Sequence, residues 1–253
     1  MPGFAVTSDS ELHLARRPVS RYDGNRLDAK DTRLKSPWDR GGLRSYLVLL
    51  ALVFCRPDHH TLLWGLPLLI LGTALQVYSK GCLQQDQVVA QGGPYRFVRH
   101  PFYAANLLVD FGIALMSGWW PLIAGLLPWW LAVYIPVMAG EERHLTTLFP
   151  DTYPAYQQRL PRLLPLRRPL PKPEHGFSWG NRNIIADTVI PRALRNFALP
   201  PAIFLVQQGK AAGVRSLLAP EGLVAAAAML LLFGVSRQLA RRLKRVGRLL
   251  PER

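Results

Sequence analysis

Thr61 to Ser79 is a run of nineteen residues without a charged side chain. As a helix rising 1.5 Å per residue, such a run is long enough to cross the hydrocarbon layer of a bilayer. It is not alone. Phe102 to Gly118 carries a single acid, Asp110, and Trp120 to Gly140 carries no charge, with Trp119 and Trp120 placed as interfacial anchors. Tyr46 to Cys55 is short for a span and needs Trp38 to Arg44 to extend it, with Arg40 and Arg44 snorkelling. These four runs predict an all-α polytopic membrane protein with a four-helix transmembrane core.

The connections alternate in charge. The segment before the first run is rich in Arg and Lys, whereas Arg56–His60 is nearly bare. The next loop holds Lys80, Arg96 and Arg99, and Ser117–Gly118 holds nothing. After Gly140 come Arg143, Arg159, Arg162, Arg167, Arg168 and Lys172. The positive-inside rule then predicts a cytoplasmic N-terminus and cytoplasmic loops after the second and fourth runs. The net charge of +15 belongs to these flanks. It points to an anionic lipid surface rather than to nucleic acid, for which no motif is present. Cys55 and Cys82 fall on opposite faces in this topology and are not expected to pair. The first ten residues lack an apolar core and the last three offer no prenylation box, so neither a cleaved leader nor a lipid anchor is expected.

Beyond residue 166 the pattern changes. Pro161 to Pro173 is a cationic, proline-rich segment expected to be extended. Leu218 to Val235 could form a fifth span, interrupted near its start by Pro220. That alone would leave the arginine-rich tail Arg237–Arg253 outside, against the charge rule. Either Ala198–Gln207 is inserted as well, or the last apolar run is interfacial or re-entrant. The domain organisation expected is a basic tail over 1–40, a membrane core over 41–166, a linker over 167–197 and a membrane-associated extension over 198–253.

Two polar clusters lie on the predicted cytoplasmic face, one helical hairpin apart. The first is Gly92-Gly-Pro-Tyr-Arg-Phe-Val-Arg-His-Pro-Phe-Tyr103; its glycines and Pro94 break the preceding helix, and Pro101 suits the first turn of the next. The second begins Glu141-Glu-Arg-His-Leu and runs to Pro165. Two acids at the end of a span are disfavoured by the helix dipole, and Arg99 and His100 are the nearest partners. A plain ion pair tying the loops together and a catalytic cluster both fit this pattern.

Together the clusters resemble the isoprenylcysteine carboxyl methyltransferase and phospholipid N-methyltransferase group of integral membrane enzymes. The resemblance covers about Gln76 to Pro165 and rests on Arg-His-Pro-x-Tyr, Glu-Glu-x-x-Leu and the later Tyr, Tyr and Arg-x-Pro. It implies methyl transfer from S-adenosyl-L-methionine, bound in a cytosolic loop, to a lipophilic acceptor entering from the bilayer. By the same resemblance Gly93, Pro94, Tyr95, His100, Pro101, Tyr103 and Leu145 line the cofactor site. Glu141 or Glu142 would bind the cofactor's polar groups, and Arg99, Glu142 and Arg159 are the candidates for catalysis or orientation. The acceptor stays open among a prenylated cysteine carboxylate, a phospholipid amine and a small thiol.

The chain departs from the family pattern at Ala104-Ala105 and at Pro150, where glycine is frequent. Membrane sterol reductases share the Arg-His-Pro-x-Tyr box but continue with Gly-Glu. An NADPH-dependent reductase is therefore one alternative, and a non-enzymatic membrane scaffold the other. Asp110 could orient a substrate head group or pair within the bundle. His59-His60 lacks the companions a metal needs, so no metal is expected. Trp129-Trp130 are read as packing or lipid-facing. The sequence carries no sign of oligomeric state.

Overall fold

The computed structural model describes residues 40–56, 58–83, 87–171, 176–181, 183–184 and 189–249. The basic tail before residue 40, Trp38 included, and the last four residues lie outside them. Eight helices are described: α1 Arg40–Phe54, α2 His60–Cys82, α3 Pro101–Ser117, α4 Trp120–Leu148, α5 Tyr153–Arg159, α6 Val189–Phe197, α7 Leu199–Ala212 and α8 Pro220–Leu249. Among the described residues there is no strand. The protein is an all-α polytopic membrane protein. Four stretches are long and apolar enough to cross a membrane: α2, α4, Val189–Ala212 (α6 with α7) and most of α8. The apolar helices α1 and α3 are shorter and pack beside them.

Helix boundaries follow local chemistry. Pro101 opens α3 at its first turn, where a missing N–H costs nothing. Gly118 closes it in the left-handed region (φ 65°), donating its N–H to Leu115. No breaker follows Gly140, so α4 continues for eight residues past the expected span and stops at Phe149, ahead of Pro150. Glu141 and Glu142 consequently lie within a continuing helix. The helix-dipole penalty expected at a span's terminus does not apply to them.

The two ends of the bundle are clearly marked. At one end, Arg56 N–H donates to Ser117 O (2.9 Å), Gln207 donates to Thr61 and to Met116 O, and the Lys210 ammonium caps α1 through Val53 O and Cys55 O. At the other end, Asn181 and Asn183 donate to Leu83 O, and Lys80 and Arg192 lie over the ring of Phe102. The α6–α7 pair therefore runs from the second end to the first, and α8 returns. Ala198–Gln207 belongs to the stretch Val189–Ala212, which is long and apolar enough to cross.

That segment is held by a buried polar ladder. Gln76 donates to Asn106 (2.8 Å), and Asn196 donates to both Thr73 (3.0 Å) and Gln76 (3.1 Å). Asp110 takes the second of its two expected roles: Arg44 turns inward to it, Nε to Oδ1 3.2 Å, instead of snorkelling to the surface. Cys55 and Cys82 are both free, Cys55 at the Lys210 end and Cys82 at the close of α2.

Candidate active site

The site is assembled at the end where α3 begins and α4 leaves its apolar stretch. Gly93 has φ 55°, and a Cβ there would run into Cys82 Sγ. Only glycine lets this turn sit against the end of α2. The 3₁₀ turn Gly93–Arg96 follows, and the residue before Pro101 is kept out of the helical region, which leaves His100 at the junction (φ −124°, ψ 60°).

A proline-rich strap then closes over this segment. Arg99 N–H donates to Pro161 O (2.9 Å) and His100 N–H to Arg162 O (3.0 Å). Leu170 N–H donates to Arg96 O, and Arg96 Nε returns a bond to Leu170 O (2.7 Å). The Tyr156 hydroxyl donates to Tyr95 O (2.9 Å). Residues 161–171, expected to be extended, contain no helix and serve as this strap.

The strap delivers Arg162 to Glu142. The Glu142 carboxylate, with a side chain only 5% exposed, meets three cationic or ionisable groups. Arg162 grips it through Nη2–Oε2 at 2.8 Å and Nε at 3.1 and 3.2 Å, Arg99 Nη1 lies 3.1 Å from Oε1, and His100 Nε2 lies 3.0 Å from Oε1. Its neighbour Glu141 is different. That side chain is 42% exposed; it accepts the Tyr103 hydroxyl at 2.5 Å and lies 3.8 Å from His100 Nδ1. His100 thus bridges a closed carboxylate and an open one.

Aromatic rings extend the site into the bundle. Tyr103 meets Tyr134 edge-on (5.4 Å between centroids), and Tyr134 stacks on the fully buried Trp130 (4.3 Å). On the strap side, Tyr153, Tyr156 and Leu160 form a cluster with Leu145, Phe149 and Val89. Burial pushes the Tyr153 phenol up to about 12 and raises those of Tyr95 and Tyr156 as well. All three stay neutral at working pH and can only donate or accept hydrogen bonds. The Tyr153 hydroxyl and Arg99 Nε are buried without a formed hydrogen bond.

Of the residues singled out from sequence, Arg99, His100, Tyr103, Glu141 and Glu142 converge. Pro101 starts α3, Gly93, Pro94 and Tyr95 build the turn behind them, and Leu145 packs against the tyrosine cluster. Arg159 is exposed and lies outside the Glu142 cluster, and Arg162 joins Arg99 there in its place. The spacing of Tyr153, Tyr156 and Leu160 already places Arg159 off the inward face of α5. Sequence reasoning gives Tyr153 no site role beyond its place in the Tyr, Tyr pair and misses Tyr134 and Gln157, the last of which lies 3.5 Å from Glu142. No group of three or more potential ligands among the described residues could hold a metal ion.

Residues 61–152 match the family model described as Phospholipid methyltransferase. Methanethiol S-methyltransferase 1 of Bradyrhizobium diazoefficiens is 39% identical over 75 residues, which is 29% of this chain and 25% of that relative. The cobalt-zinc-cadmium resistance protein CzcN of Cupriavidus metallidurans is 30% identical over 114 residues, 40% of this chain and 51% of that protein. The chain therefore spans between a quarter and about half the length of these curated relatives. No solved structure matches. The resemblance drawn from the paired motifs holds over the segment containing Arg99, His100 and the two glutamates.

Proposed function

We propose that the protein transfers a methyl group from S-adenosyl-L-methionine to an acceptor that reaches the site from the lipid, with the site on the cytoplasmic side. The observation that carries this reading is the division of labour between adjacent acids. Glu142 is consumed by Arg99, His100 and Arg162, while Glu141 remains half-open beside an aromatic wall.

The residues fit this cofactor. Glu141 offers a carboxylate for an ammonium group or ribose hydroxyls, and the neighbouring Arg99 guanidinium and Tyr153 hydroxyl suit a carboxylate. The faces of His100, Tyr103 and Tyr134 suit a sulfonium. When bound, S-adenosyl-L-methionine supplies an electrophilic methyl group, whose displacement needs in-line placement and exclusion of water more than proton transfer. Tyr103 and His100 orient Glu141; Glu142 holds the two arginines and His100 and is a positioning residue; the strap and Tyr153 exclude water. The acceptor belongs to the class of small thiols, phospholipid amines or prenylated cysteine carboxylates, and the methanethiol relative favours the thiol among these.

The test is titration of the detergent-purified protein with S-adenosyl-L-methionine and, separately, NADPH, reading thermal stability. A ligand of the native state at a hundredfold excess over its dissociation constant raises apparent stability by about 2.7 kcal/mol. Stabilisation by S-adenosyl-L-methionine, weakened at least tenfold in Glu141→Gln, is the expected result. Stabilisation by NADPH alone would move the protein to the reductases, and no response to either would favour a scaffold.

A further inference from the structure

A second cluster lies wholly outside the segment that matches the methyltransferase family. Where α6 crosses α8, Arg195, Phe233, Ser236, Arg237, Ala240, Arg241 and Lys244 line an open cleft of about 340 Å³. The crossing is fixed: Ser236, fully buried, donates its hydroxyl to Pro191 O at 2.7 Å, and Asn196 is tied into the buried polar ladder. On α8 the lining residues recur at spacings of three, four and seven, so they share one face that Arg242 does not. Four cations from two helices thus converge on one cleft that no acid among the described residues lines. Among the described residues none of the four has an ion-pair partner.

A row of arginines after a span is ordinarily a solvated, membrane-facing charge. Two features go beyond that. Arg195 comes from a different helix, and the cleft grades from an apolar end at Phe233 to a cationic end at Arg241 and Lys244. On the line of α8 that leads to Arg241 at the cleft edge, Leu223 and Leu230 are apolar and exposed, as is Phe233 at the cleft itself. This order of apolar surface, then cations, is the order of a phospholipid from acyl chain to head group. Basic pockets between membrane helices bind anionic head groups on this basis, and arginine forks match phosphate oxygens.

We infer that the α6–α8 cleft binds a phosphate group, carried by an acidic phospholipid whose acyl chains lie along α8. The shared chemistry is a phosphate anion, and free phosphate is the other possible source. The full-length protein in detergent is titrated with short-chain phosphatidylglycerol, phosphatidylcholine and inorganic phosphate, reading apparent melting temperature. Phosphatidylglycerol should give a saturable rise, phosphatidylcholine none. Arg237→Gln with Lys244→Gln should weaken the response at least tenfold. Arg242→Gln with Arg245→Gln removes the same charge outside the cleft and should change it less than twofold. A response to inorganic phosphate of equal strength would keep the site and change the source. Equal loss in both pairs of variants, or an equal response to phosphatidylcholine, would overturn the proposal and reduce the cations to surface charge.

Discussion

Glu141 and Glu142 are adjacent in sequence and opposite in physical role. Removing the charge of Glu142 leaves Arg99 and His100, both largely buried, facing a neutral amide. Breaking a buried ion pair from one side costs about 3–5 kcal/mol. Arg162 is 40% exposed, so part of its loss is recovered by water. Glu142→Gln is therefore expected to lower unfolding stability in detergent by about 3 kcal/mol. Glu141→Gln should stay within about 1 kcal/mol of the parent, since its side chain is already hydrated. A melt in which the two variants lose equal stability would contradict the division of roles. The arginines form a similar contrast: Arg162→Gln should destabilise measurably, while Arg159→Gln, exposed at the end of α5, should fall within about 0.5 kcal/mol.

Packing of α2 on α3 depends on small residues at their contact. A Cβ on Gly65 would collide with Gly112 O, and one on Gly72 would meet Ala105 O at 2.8 Å. Those are rigid backbone atoms, so the helices would have to separate. Gly72 thus lets the backbone of α3 at Ala105 and Val109 come close to α2. Gly72→Val should cost about 1–3 kcal/mol through overpacking and should also shift His100 and Tyr103, which are carried at the start of α3. At Gly125 a Cβ would have nothing within 4 Å, so Gly125→Ala should be neutral or stabilise by up to about 1 kcal/mol. Unfolding curves of the two variants side by side test the contrast. The helices α1 to α4 were legible from their apolar runs, and the α3 start from Pro101. The extra turns of α4 were not, because Glu141 and Glu142 end the apolar run without ending the helix. Arg162 was hidden for a related reason: a proline-rich stretch gives no periodicity, so sequence could not say which arginine the strap carries inward.

At the scale of the molecule, the least legible feature was the return path of the chain. Arg192, Arg195 and Lys210 interrupt the apolar run over Val189–Ala212, and its polar Asn196 and Gln207 are buried against other helices. Hydropathy alone therefore weakens a segment that tertiary hydrogen bonds secure. Counted with the shorter α1 and α3, the four long stretches alternate between the two ends of the bundle, and the arginine-rich end of α8 returns to the end where Arg99 and Glu142 sit. The charge rule, which a fifth span alone would have violated, is then satisfied throughout. This arrangement predicts opposite accessibility for two exposed positions, Thr152 after α4 and Arg215 in the turn before α8. With Cys55 and Cys82 replaced by alanine, Thr152→Cys in intact cells should resist a membrane-impermeant thiol reagent until the membrane is opened. Arg215→Cys should react from outside at once. Labelling of both from outside would mean that α6–α7 does not cross, and reversed labelling would turn the whole bundle over and place the Glu142 cluster on the outer face.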